Sequence, residues 1–230
     1  MTAQLLSLPD KVSPAHTALV LVDIQNDFYS EKGYTRRMHW ETGALPEMPS
    51  IIPQLRQFVE RVRKTKVRLV FIQLVYDEKR FSGPELAVRE RRFRRLSERL
   101  PEGERAAFFR KTEGAFPCKV GTWGADFVDS VRPTANDFVV VKTQYSAFMG
   151  TELDHLLKAQ GIRTTVLCGG ASNMCLGTTA YDGFMLGYYV VLMRDLSTGW
   201  SIFHDSILAN IDHNFGEVAS SGDLLEIWKA

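Results

Sequence analysis

Apolar positions along this chain follow two patterns. Short continuous runs alternate with longer stretches in which apolar residues recur at helical spacing. The runs "TALVLVD" (17–23), "VRLVFIQLVY" (67–76), "DFVVVK" (137–142), "IRTTVLCGG" (162–170) and "YYVVLMRD" (188–195) read as strands. They are continuous rather than alternating, as strands covered on both faces should be. Between them, 50–66 reads as a helix, with Ser50 as its cap and Ile52, Leu55, Val59 and Val62 on one face. Further helices are predicted over 150–161, closed by Gly161, over 175–186 and over 200–216. Strand–helix alternation predicts a single α/β domain spanning 1–230. Its strands should be mostly parallel, joined by right-handed crossovers, with helices on both sheet faces. The stretch 77–133 breaks the rhythm. It is rich in charge, Gly and Pro and long for a connection, so it is expected to lie over an active site or at an oligomer contact.

Composition narrows the function classes. Hydrophobic residues make up 45% of the 230, enough for a substantial core. The formal net charge is +1, which gives neither nucleic acid nor an anionic membrane as a partner. The opening "MTAQLLSLPDKVSPAH" lacks a basic segment followed by a long apolar run, and no apolar stretch approaches the roughly 20 residues that span a bilayer. A soluble cytoplasmic protein is expected. The cysteines are Cys118, Cys168 and Cys175. They form no CxxC pair, and their odd number argues against a disulfide framework. Each is either core filler or a reactive thiol.

In open parallel sheets, ligands bind beyond the carboxyl ends of the strands. The first strand ends in Asp23, the third in Lys142, and the fourth leads through "GGASNM" to Cys175. Taken singly, the aspartate reads as a turn residue, the lysine as solvated and the cysteine as core. Together they make a coherent chemistry. A free thiol has a pKa near 8.5, so only a few per cent is thiolate at neutral pH. A helix N-terminus and a nearby ammonium both favour the thiolate. A carboxylate in a half-apolar pocket has a raised pKa and can accept the thiol proton. Cys175, Asp23 and Lys142 thus supply nucleophile, base and electrostatic stabiliser. The histidines at 16, 39, 155, 204 and 213 lie away from these strand ends and read as surface or core residues.

Three motifs carry a family resemblance: "VDIQNDF" with Asp23, "KTQYSAFMGTELDHLL" with Lys142 and "GGASNMCLGTTAYDGFMLGY" with Cys175. In their order and separations the chain resembles the isochorismatase-like hydrolases, and among them the cysteine amidohydrolases, from about residue 15 to the end. The resemblance implies Asp23, Lys142 and Cys175 as a catalytic triad in a sheet of about six strands. It implies a cis peptide bond at Gly170–Ala171, which turns the Ala171 N–H inward beside that of Cys175 to form an oxyanion hole. Many relatives have Thr in place of Ala171 and an acidic or small residue in place of Asn173. That departure bears on pocket shape rather than on the chemistry. Nicotinamidase relatives bind a metal through an Asp-x-His pair, and this chain has no such pair. No metal and no cofactor are predicted, and a homodimer or homotetramer is expected. The implied reaction is hydrolysis of a C–N bond in a small amide or ureide through a cysteine thioester. With the metal motif missing, a ureido or short amide acid is favoured over an aromatic amide.

Other residues have weaker claims. Tyr145 and Phe148 follow Lys142 closely and read as pocket walls. Trp123 either lines the pocket or packs in the core. Gln25, with Asp27, is expected to orient the loop after the first strand and to reach substrate. Asn173 either bonds substrate or caps the helix. Cys168 reads as inert core and Cys118 as a loop thiol. "AVRERRFRRLSERL" (87–100) holds six arginines. It reads as a solvated helix, or as a surface for a substrate carboxylate or an acidic partner. Three other functions compete: a vinyl-ether hydrolase of the isochorismatase type, which needs no thiol; a thiol redox sensor, which wants a resolving cysteine; and an idle member acting as a binding module.

Overall fold

The computed structural model describes residues 4–39, 51–77, 79, 81–112 and 115–230. Strands β1 (Thr17–Val22), β2 (Arg68–Leu74), β3 (Phe138–Lys142), β4 (Thr164–Gly170) and β5 (Tyr189–Thr198) form where the continuous apolar runs predict them. A sixth, β6 (Glu217–Ala219), has no apolar run of its own and escaped the pattern; only the family resemblance implied it. All six are parallel, in the order β3-β2-β1-β4-β5-β6. The order reverses between β1 and β4, where a parallel sheet opens a crevice beyond its strand ends.

Among the described residues, the α-helices of seven residues or more are α1 (Ile52–Val62), α2 (Gly83–Ser97), α3 (Glu102–Thr112), α4 (Leu153–Ala159), α5 (Cys175–Met185), α6 (Ser201–Asn214) and α7 (Ser221–Trp228). The proposed cap Ser50 lies outside the described residues; Ile51 precedes α1 and gives no side-chain cap. Among the helices absent from the sequence reading, α7 has a clear local cause. The Ser220 hydroxyl accepts the Asp223 N–H, and the Asp223 carboxylate accepts that of Ser220. The same box, Ser82 with Glu85, starts α2 several residues ahead of the Arg-rich stretch.

Alternate positions of each central strand feed two cores. Leu19 and Leu21 of β1, Leu69 and Phe71 of β2, and Val166 and Cys168 of β4 face α1 and α7, meeting Leu55, Phe58, Leu224 and Trp228. Ala18, Val20 and Val22 of β1 and Val70 and Ile72 of β2 face Leu153, Leu157, Leu176 and Ile211 of α4, α5 and α6. Every position of β1 and β4 is buried. Cys168 is therefore core, as expected, and burial raises its thiol pKa.

The segment 77–133 builds two satellite cores, one around Tyr76, Phe116 and Cys118 and one around Leu96, Leu100 and Phe108. Cys118 lies in a turn, as expected, and is fully buried there at φ +55, and its N–H donates to the Asp27 carboxylate at 2.7 Å. Gly124 lies against the same carboxylate; a Cβ there would stand 2.1 Å from Asp27 Oδ2. Among the described residues no helix is long and apolar enough to cross a membrane.

Candidate active site

The ends of β1, β3 and β4 place three chemically distinct side chains in one spot. Asp23 follows β1 in the left-handed region, at φ +56, with its N–H on the Ile72 carbonyl at 3.2 Å. A non-glycine residue in that region is uncommon and turns its side chain out of the strand's own direction. Gly169, at φ +103, allows the end of β4 to press on that of β1, since a Cβ would lie 2.2 Å from the Val22 carbonyl. The pairing of β4 with β5 shifts register between Leu167 and Gly169. An irregularity at a strand end is a common way to re-aim the backbone beside a site.

Lys142 closes β3 and extends its side chain past β2. Its ammonium lies 2.9 Å from Asp23 Oδ2. It also donates to the carbonyls of Gln144 at 3.1 Å and Tyr145 at 2.9 Å. Neither oxygen of the buried Asp23 carboxylate has a well-aligned hydrogen bond among the described residues. The contact with Lys142 is therefore an ion pair, and the carboxylate keeps lone pairs for an incoming proton. Cys175 is the first residue of α5, after Met174, which gives no side-chain cap. The Thr179 hydroxyl ties the two loops together, donating to the Cys175 carbonyl at 2.7 Å and accepting the Ala147 N–H at 2.9 Å.

The Gly170–Ala171 peptide bond is cis. Leu176 N–H donates to the Ala171 carbonyl at 3.1 Å, whereas the N–H groups of Ala171 and Cys175 have no acceptor among the described residues. Two free donors beside a thiol are the elements of an oxyanion hole.

Burial dominates the titration here. It raises the Cys175 thiol to about 12; Lys142 pulls it down and Asp23 pushes it up. Desolvation thus outweighs the ammonium and the helix end, both of which favour the thiolate, and keeps the thiol protonated until Asp23 takes its proton. Burial likewise raises Asp23 above the usual carboxylate range, with Lys142 opposing. Burial lowers Lys142, but Asp23 and Cys175 outweigh it, so the ammonium persists. A neutral thiol beside a carboxylate of raised basicity needs the carboxylate to take its proton during reaction.

Asp23 and Cys175 line a cavity of about 110 Å³, and Lys142 stands behind Asp23. Tyr145 is in its wall, as are Ala171 and Met174. Four residues read as substrate contacts are placed otherwise. Gln25 is fully buried. Its amide donates to the Leu74 and Ala125 carbonyls at 2.8 and 2.7 Å, and its Oε1 accepts the Leu74 N–H at 2.8 Å. It is a cross-link with no polar atom left for substrate. Trp123 is neither core nor cavity wall but 51% exposed. Phe148 stacks on Tyr188 at 5.7 Å in the core. The Asn173 Oδ1 accepts the Trp200 N–H at 3.2 Å, so it holds the loop before α6 instead of capping α5.

Gln25→Ala is therefore expected to cost roughly 2–4 kcal/mol through unpaired buried backbone groups. A thermal melt should fall by several degrees, with KM little changed.

Sequence reasoning missed several wall residues: Tyr76, Phe28, Tyr34, Phe93, Leu96, Trp200 and the arginines Arg89 and Arg92. The strand-end rule reaches Tyr76, the last residue of its apolar run. The arginines belonged to a stretch read mainly as solvated. His204, expected away from the site, hydrogen-bonds Ser172 at 2.9 Å through Nδ1, one residue from Ala171. Among the described residues no three His, Cys, Asp or Glu side chains gather as metal ligands.

Comparison with known proteins places this geometry in a lineage. The family model of the Isochorismatase domain matches residues 17–223. The chain is 29% identical over 214 residues to the ureidoacrylate amidohydrolase RutB of Pantoea ananatis, covering 90% of this chain and 80% of that protein. It is 30% identical over 230 residues to RutB of Stutzerimonas stutzeri, covering 95% and 87%. Among solved structures, a cysteine hydrolase from Pseudomonas syringae pv. phaseolicola shares the fold with a TM-score of 0.75 at 18% identity, over 100% of this chain and 99% of that one. N-carbamoylsarcosine amidase from Thermoplasma acidophilum shares it at 0.63 and 23%, over 90% and 96%. The chain belongs to the isochorismatase family, in its cysteine amidohydrolase branch.

Proposed function

We propose that this enzyme hydrolyses a C–N bond of a small ureide or amide through a thioester on Cys175. One observation carries the reading. A buried thiol and a carboxylate with unused lone pairs face one small cavity, the carboxylate paired with an ammonium, beside two N–H groups without acceptors among the described residues. The relatives named as ureidoacrylate amidohydrolases favour a ureide.

Asp23 takes the Cys175 proton as sulfur attacks the carbonyl carbon. The C=O electron pair moves onto oxygen, which rests on the N–H groups of Ala171 and Cys175. Asp23 returns the proton to the leaving nitrogen, the C–N bond breaks, and ammonia or an amine departs. Water then attacks the thioester with Asp23 again as base, and the C–S bond breaks as the thiol regains its proton. Lys142 stays charged throughout and offsets the negative charge that moves between oxygen and sulfur. The reading includes action in the cytoplasm, with which three unpaired cysteines accord. It also includes a homo-oligomer, for which edge strand β3 leaves Val139 and Val141 half exposed.

A screen for ammonia release over small amides and ureides, with and without chelator, tests the reaction. At least one short ureide should release ammonia, unaffected by the chelator. Stoichiometric alkylation of Cys175, located by peptide mass mapping, should abolish the release. Release that survives complete alkylation would refute the thioester route.

A further inference from the structure

We infer that His204, on α6, is a positioning residue for the reaction: through Ser172 it holds the loop whose N–H groups receive the oxyanion. This deepens the hydrolytic reading and rests on it. Ala171 carries only a methyl group, so its neighbours must fix the direction of its N–H. On the inner side, its carbonyl accepts the N–H groups of Met174 at 2.9 Å and Leu176 at 3.1 Å, which ties it to the start of α5.

On the outer side, three ties run to the junction of β5 and α6. The Ser172 N–H donates to the Thr198 carbonyl at 2.7 Å. Asn173 Oδ1 accepts the Trp200 N–H at 3.2 Å. The Ser172 hydroxyl meets His204 Nδ1 at 2.9 Å. The His204 N–H donates to the Trp200 carbonyl at 3.0 Å, so the ring is carried on the first turn of α6. The third tie is the one made by a side chain from outside the loop. A substitution removes it without disturbing a backbone hydrogen bond.

Ser172 is fully buried, and His204 is the one hydrogen-bond partner of its hydroxyl among the described residues. Buried polar groups are nearly always paired. Without the imidazole, the hydroxyl turns to another partner or stays unpaired. Ala171 shares a peptide plane with Ser172, so it shifts as well, and its N–H is re-aimed. A misplacement of about 1 Å can cost about 100-fold in rate. Neither Ser172 nor His204 lines the cavity, so substrate contact is untouched and the proton stays the business of Asp23.

The test uses propanal labelled with carbon-13 at its carbonyl, titrated by NMR. The Cys175 sulfur adds to the carbonyl carbon, the C=O electron pair moves onto oxygen, and the thiol proton passes through Asp23 to that oxygen. Nothing leaves, so the thiohemiacetal reports the oxyanion hole without hydrolysis; Cys175→Ser is the blank. His204→Leu and Ser172→Ala should each weaken the adduct about 10- to 100-fold. The double variant should be no weaker than either, because both break one link. His204→Asn, which puts an amide where Nδ1 stood, should restore most of the affinity. His204→Gln, whose amide sits one atom further out, should not. Capping of Cys175 by methyl methanethiosulfonate should keep its rate throughout, since that exchange builds no oxyanion on carbon. An adduct unaffected by His204→Leu, additive losses in the double variant, equal values for Asn and Gln at matched melts, a capping rate that falls with the adduct, or no adduct in the unmodified enzyme would each overturn the inference. Ammonia release over the amides and ureides is read separately, where kcat should fall with the adduct and KM should hold. If the adduct depends on His204 but no amide or ureide releases ammonia, the hydrolytic reading fails and the positioning role stands.

Discussion

Cys175→Ser is expected to lower kcat/KM for ammonia release by at least about 10⁴-fold, since removing one member of a catalytic unit costs nearly as much as removing the unit. The hydroxyl nearly matches the thiol in size, so the melt should barely move and substrate should still bind. Oxygen fails for an electrostatic reason. Burial already raises the sulfur to about 12; an alcohol starts far higher and is beyond the reach of a carboxylate base. Mass spectrometry of the unmodified enzyme quenched during turnover should show an acyl adduct on the peptide carrying Cys175. The serine variant should show none. Near-normal turnover by that variant would end the thioester mechanism.

Asp23→Asn should reduce kcat by about 10³-fold, the range of a lost general base. It should also cost about 3 kcal/mol of stability, because the Lys142 ammonium stays buried with its counter-charge removed. A pH profile separates the two effects. The base works as carboxylate, so kcat/KM should rise with pH through the folded-state pKa of Asp23, which burial places above 3.8. Stability runs the other way. The folded chain holds the Asp23 proton at higher pH than the unfolded chain does. This term is therefore full below the unfolded pKa and is lost as pH rises through the folded one. No step is expected in the ordinary thiol range, because burial raises Cys175 to about 12. In the asparagine variant the acid limb should vanish from the residual activity. A limb that persists unchanged would assign it to another group and remove Asp23 from the role of base.

The pattern of apolar runs was enough to find the five long strands and to read them as parallel, because strands covered on both faces must be apolar at successive positions. It was also enough to bring Asp23, Lys142 and Cys175 under suspicion, since residues that end parallel strands share one edge wherever they lie in the chain. Strand β6 escaped it: three residues cannot establish a period. Helix α7 also escaped it: its eight residues give little more than two turns of periodicity, and its local signal is the capping box of Ser220 and Asp223.

What the sequence by itself determined is the layered frame and the identity of the groups at its rim, because both follow from local periodicity and from chain order. The tertiary structure alone decided three things. Gln25 is spent on backbone, although as a polar residue beside Asp23 it looked free to meet substrate. Cys175 rests as a neutral thiol, because the depth of burial sets the desolvation that outweighs helix end and ammonium. Arg92 turns inward while Arg91 and Arg95 on the same helix face solvent. Each depends on which surfaces fold against which, and that is a property of distances between residues remote in the chain.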